Sequence, residues 1–105
     1  MSISSALFSD SQATVLQWLF GQPARSYHLS ELRRLTALGS ASLQRELNRL
    51  ADAGLVNSER VGNLRRFQAN PQSPVYQELV SLVRKTLGVA PLLREALHPL
   101  ANRLN

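Results

Sequence analysis

LSELRRLTALGSASLQRELNRLADAGLVNSERVGNLRRFQA, residues 29–69, changes its hydrophobic period once along its length. In the first half leucines recur at helical spacing. Leu32 and Leu35 define the inner side of a helix running from about His28 or Ser30 to Thr36, with Arg33 and Arg34 pointing outward. Leu43, Leu47 and Leu50 recur at four and three residues, fixing the inner face of a second helix over about 40–53 that Gly54 ends. Ala37-Leu38-Gly39 forms the turn between them, with Gly39 expected to supply the unusual backbone angles and Leu38 to plug the junction. After Gly54 the pattern turns to strand. Leu55-Val56 opens one, Val61-Gly62-Asn63 reverses it, and Leu64, Phe67 and Ala69 face the core on the return, their uneven spacing requiring a bulge near the tip.

Once the leucines are turned inward, the other face of the 40–53 helix carries Ser40, Ser42, Gln44, Arg45, Asn48 and, nearer its edge, Arg49. Arginine can donate two bonds to guanine, glutamine or asparagine can pair with adenine, and serine suits either. A merely solvated helix would show more Glu and Lys in opposed pairs. Arg60, Asn63, Arg65 and Arg66 decorate the hairpin. Those charges could only protect an exposed strand edge, but beside a polar helix face they favour phosphate or minor-groove contact.

The flanks complete one domain. Ser9-Asp10-Ser11-Gln12 has capping-box spacing, so a helix starts there, buries Leu16, Leu19 and Phe20, and ends at Gly21 and Pro23. Val15 and Trp18 flank that stripe, with Trp18 placed in the core in preference to a subunit contact or a ligand platform. Ser26-Tyr27-His28-Leu29 is short and extended, matching a small strand that pairs with the hairpin. Asn70 to Pro74 interrupts the pattern. Ser73 then caps and Pro74 opens a helix with Val75, Leu79, Leu82 or Val83, and Leu87 inward, stopped by Gly88. From Val89 a last helix presents Leu92, Leu93, Ala96, Leu97, Leu100 and Leu104, kinked or broken at Pro99. That tail is more apolar than a small core can absorb, which makes it the expected subunit interface.

Composition narrows the function classes. The 105 residues, 44% hydrophobic, suit a single domain. With no cysteine, disulfides, thiol catalysis and zinc ribbons are excluded. No signal peptide or membrane-length apolar run is evident, so the expectation is a soluble, cytoplasmic protein. Twelve basic against seven acidic residues give a net charge of +5. Between Arg25 and Arg66 stand arginines 25, 33, 34, 45, 49, 60, 65 and 66 against Glu31, Glu46, Asp52 and Glu59, a balance of +4. Arginine's planar fork suits phosphate and guanine. The only histidines, His28 and His98, lie on separate elements, so no metal or other cofactor is expected. No nucleophile with a base, phosphate loop or paired carboxylates appears, so an enzyme is not expected.

The order helix, turn, helix, strand, Gly-Asn turn and arginine-bearing strand resembles the winged helix-turn-helix repressors of the ArsR and MarR type, most recognisably at AGLV (53–56) and at Arg60 to Asn63. The resemblance implies a mainly α fold with a small β-hairpin wing over a core of 9–70, additional C-terminal helices over 74–104 serving dimerisation, and double-stranded DNA as partner. It places Ser42, Gln44 and Arg45 over the floor of the major groove and Asn48 and Arg49 nearer phosphates, with the wing at about 60–66 on the backbone or minor groove. A narrower similarity, through FGQP, VGNLRRFQANP and LREALHPL, is to winged-helix segments of prokaryotic regulators, some of which continue into a minimal nucleotidyltransferase domain; the Gly-Ser turn and paired carboxylates of that domain are missing here. The expected function is that of a homodimeric transcriptional regulator, a repressor. The alternatives are a protein-interaction winged helix and the regulatory domain of a nucleotidyltransferase or toxin-antitoxin system.

Overall fold

The computed structural model describes residues 3–87. Eight elements follow in order: α1 (Ile3–Leu7), α2 (Asp10–Gly21), β1 (Tyr27–His28), α3 (Leu29–Thr36), α4 (Ser40–Asp52), β2 (Val56–Val61), β3 (Leu64–Ala69) and α5 (Tyr76–Thr86). The strands form one antiparallel sheet in the order β1-β3-β2. The fold is mainly helical with a hairpin wing, as the hydrophobic periods predict.

α2 is the hub. The Ser9 hydroxyl accepts from the Gln12 N–H at 3.2 Å and the Gln12 side chain accepts from the Ser9 N–H at 3.0 Å, so both early donors of the helix end are satisfied. From that start α2 packs on α3, α4, α5 and β3. Being surrounded, it buries Val15 and Trp18 as well as Leu16, Leu19 and Phe20. Trp18 meets Tyr27 edge to face at 6.5 Å, and the Tyr27 hydroxyl donates to the Trp18 carbonyl, one of the acceptors α2 leaves unpaired at its C-terminus. Burial raises the Tyr27 phenol above its ordinary range, against the opposing pull of Arg25.

Leu43, Leu47 and Leu50 of α4 are buried as their spacing predicts. The helix ends in a Schellman turn: Gly54 N–H donates to Ala51, Leu55 N–H to Leu50, and Gly54 takes φ +77°. The junction between α3 and α4 differs from expectation. Gly39 sits at an ordinary φ of −62°, and the left-handed residue is Ala37 at φ +58°. Hydrogen bonding accompanies the turn: the Ala37 N–H closes the last helical bond to the Arg33 carbonyl, the left-handed Ala37 then brings the Leu38 N–H back to Thr36 Oγ1, and that hydroxyl donates to the Leu32 carbonyl. A left-handed alanine carries about 1–2 kcal/mol of strain, whereas a glycine adds about 0.4–1 kcal/mol of unfolded-chain entropy. Ala37→Gly should therefore raise stability by about 0.5–1 kcal/mol, read as a higher urea midpoint at unchanged slope.

Three further expectations are corrected. The hairpin needs no bulge: Val56 to Val61 pair one-to-one with Ala69 to Leu64, and the two-residue Gly62-Asn63 loop has positive φ only at Gly62, as in a type II′ turn. Strict alternation then puts Phe67 and Ala69 inward and leaves Leu64 at the tip, 51% exposed. The helix after Pro74 begins two residues later, because the Ser73 hydroxyl and carbonyl accept from Val75 and Tyr76 in a turn; Val75 is exposed, and Tyr76, Leu79, Val80, Val83 and Leu87 face the core. α1 was not anticipated; it has no buried residue and exposes Ile3 and Leu7. The expectations for Gly88, His98, Pro99 and the leucines from Leu92 to Leu104 lie outside the described residues.

Candidate nucleic-acid interface

With Leu43, Leu47 and Leu50 pinned inward and each residue advancing about 100° around the axis, Arg45 and Asn48 occupy the outermost line of α4. Ser40 and Gln44 lie on the flank towards the wing, and Ser42 and Arg49 on the other. Gln44, Arg45, Asn48 and Arg49 are exposed, and Ser42 is half-buried. Two of these side chains are partly held in place by the preceding turn: Gln44 Nε2 donates to Ser40 Oγ at 3.3 Å and Arg45 Nη2 to Ser42 Oγ at 3.4 Å. Arg49 instead pairs with Glu46 at 2.7 Å, which offsets its charge for any external anion.

The register of the wing decides which of its arginines share a face with α4. Arg60 and Arg65 lie directly opposite one another on β2 and β3. Arg65 is fixed there, its guanidinium 4.9 Å from the Phe67 ring centre and donating to Ser58 Oγ at 3.0 Å. Arg66, one residue on, falls on the other face of the sheet, pairs with His28 in register and donates to Ser26 Oγ at 3.2 Å. The structure therefore separates Arg66 from the other wing residues singled out in the sequence.

A cleft of about 270 Å³ opens between the wing, the start of α3 and the start of α4. Arg60, Asn63, Leu64 and Arg65 come to it from the wing, Ser40 and Gln44 from α4, and Leu29, Ser30 and Arg33 from α3. Three arginines meet there and no carboxylate lines it. Ser30 and Arg33 also line it; the sequence assigns their helix to phosphates without naming either residue. The outward position of Arg33 on its helix was legible, but its meeting with the wing depends on the tertiary angle of the hairpin. Arg25, by contrast, counted towards the basic cluster in the sequence but is committed to the fold, ion-paired with Glu31 and lying 4.7 Å over the Tyr27 ring. Among the described residues no group of three or more His, Asp or Glu side chains could hold a metal, and no helix is long and apolar enough to cross a membrane.

Solved structures of several transcriptional regulators share this fold. A MarR-family transcriptional regulator from Silicibacter pomeroyi superposes with a TM-score of 0.60 at 23% identity, covering 96% of this chain and 73% of that one. The fold is the winged helix. The antimony-specific transcriptional repressor AntR aligns over 88% of this chain and 74% of its own, with a TM-score of 0.59 and 20% identity. A variant of ZitR from Lactococcus lactis, solved in complex with DNA, covers 100% of this chain and 81% of its own at 17% identity and a TM-score of 0.55. No protein-family model and no curated protein matches the sequence.

Proposed function

We propose that this winged helix is a sequence-specific, double-stranded DNA-binding transcriptional regulator, acting as a repressor and as a cytoplasmic homodimer without catalytic activity or cofactor. The observation that carries the reading is the continuity of the acid-free, three-arginine cleft with the polar outer line of α4. That surface offers donors for a polyanionic backbone beside groups suited to base edges. Its likeness in fold to the repressor AntR and to ZitR bound to DNA supports the same reading. α4 serves as the reader, with Gln44 and Arg45 on bases and Asn48 towards the backbone, while the wing and α3 hold phosphates.

Titration of labelled genomic duplexes selected by the protein tests this. With about six phosphates neutralised per dimer, the slope of log affinity against log salt should be near −5. Arg45→Ala and Gln44→Ala should each cost roughly 1–3 kcal/mol on the preferred site and blur the preference at one base pair. Retention of no duplex at low salt, or a flat salt response, would overturn the reading. Unchanged base preference in both α4 variants would remove α4 from the reading role.

A further inference from the structure

The wing contains an arrangement that disfavours its own free state. Arg60 and Arg65 are cross-strand partners in the last turns before the Gly62-Asn63 loop, and like charges directly opposite one another destabilise a hairpin. Arg65 cannot swing away freely, being held over Phe67 and to Ser58. Arg33 approaches the same cleft from α3. Among the described residues, Arg33 and Arg60 have no carboxylate partner. Three arginines from three elements thus line one cleft that no carboxylate lines, and Ser30, Ser40 and Asn63 add neutral donors to its walls. Leu29 and Leu64 give the cleft two apolar walls. The chemistry matched by that combination is one phosphodiester group with its apolar sugar carbons, and the cleft is too small for a base pair.

We propose that Arg33, Arg60 and Arg65 close together on a single backbone phosphate of the bound duplex, so that one phosphate ties the wing to α3 and sets the register of Gln44 over its base. This rests on the DNA-binding reading and adds to it a specific consequence: the three arginines act through one charge and are not interchangeable contributors to a general positive field. Arg66, on the other face of the sheet, takes no part.

The experiment replaces the phosphates of the selected duplex one at a time by neutral methylphosphonate and measures affinity for the native protein and for Arg33→Gln and Arg60→Gln. One position should stand out, its neutralisation weakening native binding by about tenfold or more, as for loss of a charge-assisted contact. Each variant should lose affinity on unmodified DNA, and at that one position the methylphosphonate should cost either variant clearly less than it costs the native protein, because one of the phosphate's three partner charges is already gone. Free Arg60→Gln protein should melt at or slightly above the native temperature, since the opposed pair is relieved; a fall would show that Arg60 serves the fold instead. Losses that multiply, or different sensitive phosphates for Arg33 and Arg60, overturn the clamp while leaving DNA binding intact. Failure of the native protein to bind any duplex overturns both readings. If inorganic phosphate displaces the duplex beyond the effect of chloride at equal ionic strength, and no single phosphate is coupled to the arginines, the cleft serves a free phosphoanion and the proposal fails.

Discussion

Phe20→Ala should destabilise the protein by about 3–5 kcal/mol and remove DNA binding through loss of the fold. Phe20 is fully buried on α2, the helix against which α3, α4, α5 and β3 all pack, so the vacated volume opens at the centre of the domain where no single element can collapse into it. The magnitude decides the outcome, because a small domain has only about 5–15 kcal/mol in total. For a chain of this size each kcal/mol moves the thermal midpoint by about 4–8 °C, which puts the expected fall well above 10 °C. Urea titration by circular dichroism gives the measurement. A loss below about 1 kcal/mol would mean that α2 is not the organising helix and that the packing at Phe20 is far looser than its burial shows.

How much was legible in the sequence follows from the range of the interactions concerned. Ser9 and Gln12, the leucines of α4, and Gly54 are governed by contacts within a turn or two, and spacing alone exposes them. The left-handed residue at Ala37 was not legible, because glycine is the expected occupant and the conformation goes with the return of the Leu38 N–H to the Thr36 hydroxyl. Leu64 was misplaced for a related reason: an apolar residue in a strand suggests burial, but the uninterrupted pairing with Val61 fixes it at the tip. The site divides in the same way. The outer line of α4 is a property of one helix and could be read directly. Separating Arg66 from Arg65, removing Arg25 to Glu31, and bringing Arg33 to the wing all require knowing which elements become neighbours, and residue types at a spacing carry no such information.

Leu97→Glu should convert the protein to a monomer and abolish most specific binding, at a cost of several kcal/mol of association if the residue sits in a dry subunit interface. Residues 3–87 already bury a continuous set from Val15 to Val83, while α1 exposes Ile3 at 65% and Leu7 at 54%. The sequence then continues with Leu92, Leu93, Ala96, Leu97, Leu100 and Leu104, an apolar series expected from composition to exceed what a small core absorbs. In the proposed homodimer a second copy of the chain would cover both surfaces under two-fold symmetry. It also supplies what one winged helix lacks, a second α4 set roughly 34 Å away in the next major groove, with half-sites about 10 bp apart in an inverted repeat. Each half-site alone would contribute a single reading helix, so loss of the partner removes affinity far beyond what any one contact provides. Sedimentation at micromolar concentration separates the possibilities. A native monomer, or a Leu97→Glu protein that still sediments as a dimer and binds its site, would place the interface elsewhere, with the exposed face of α1 the next surface to alter.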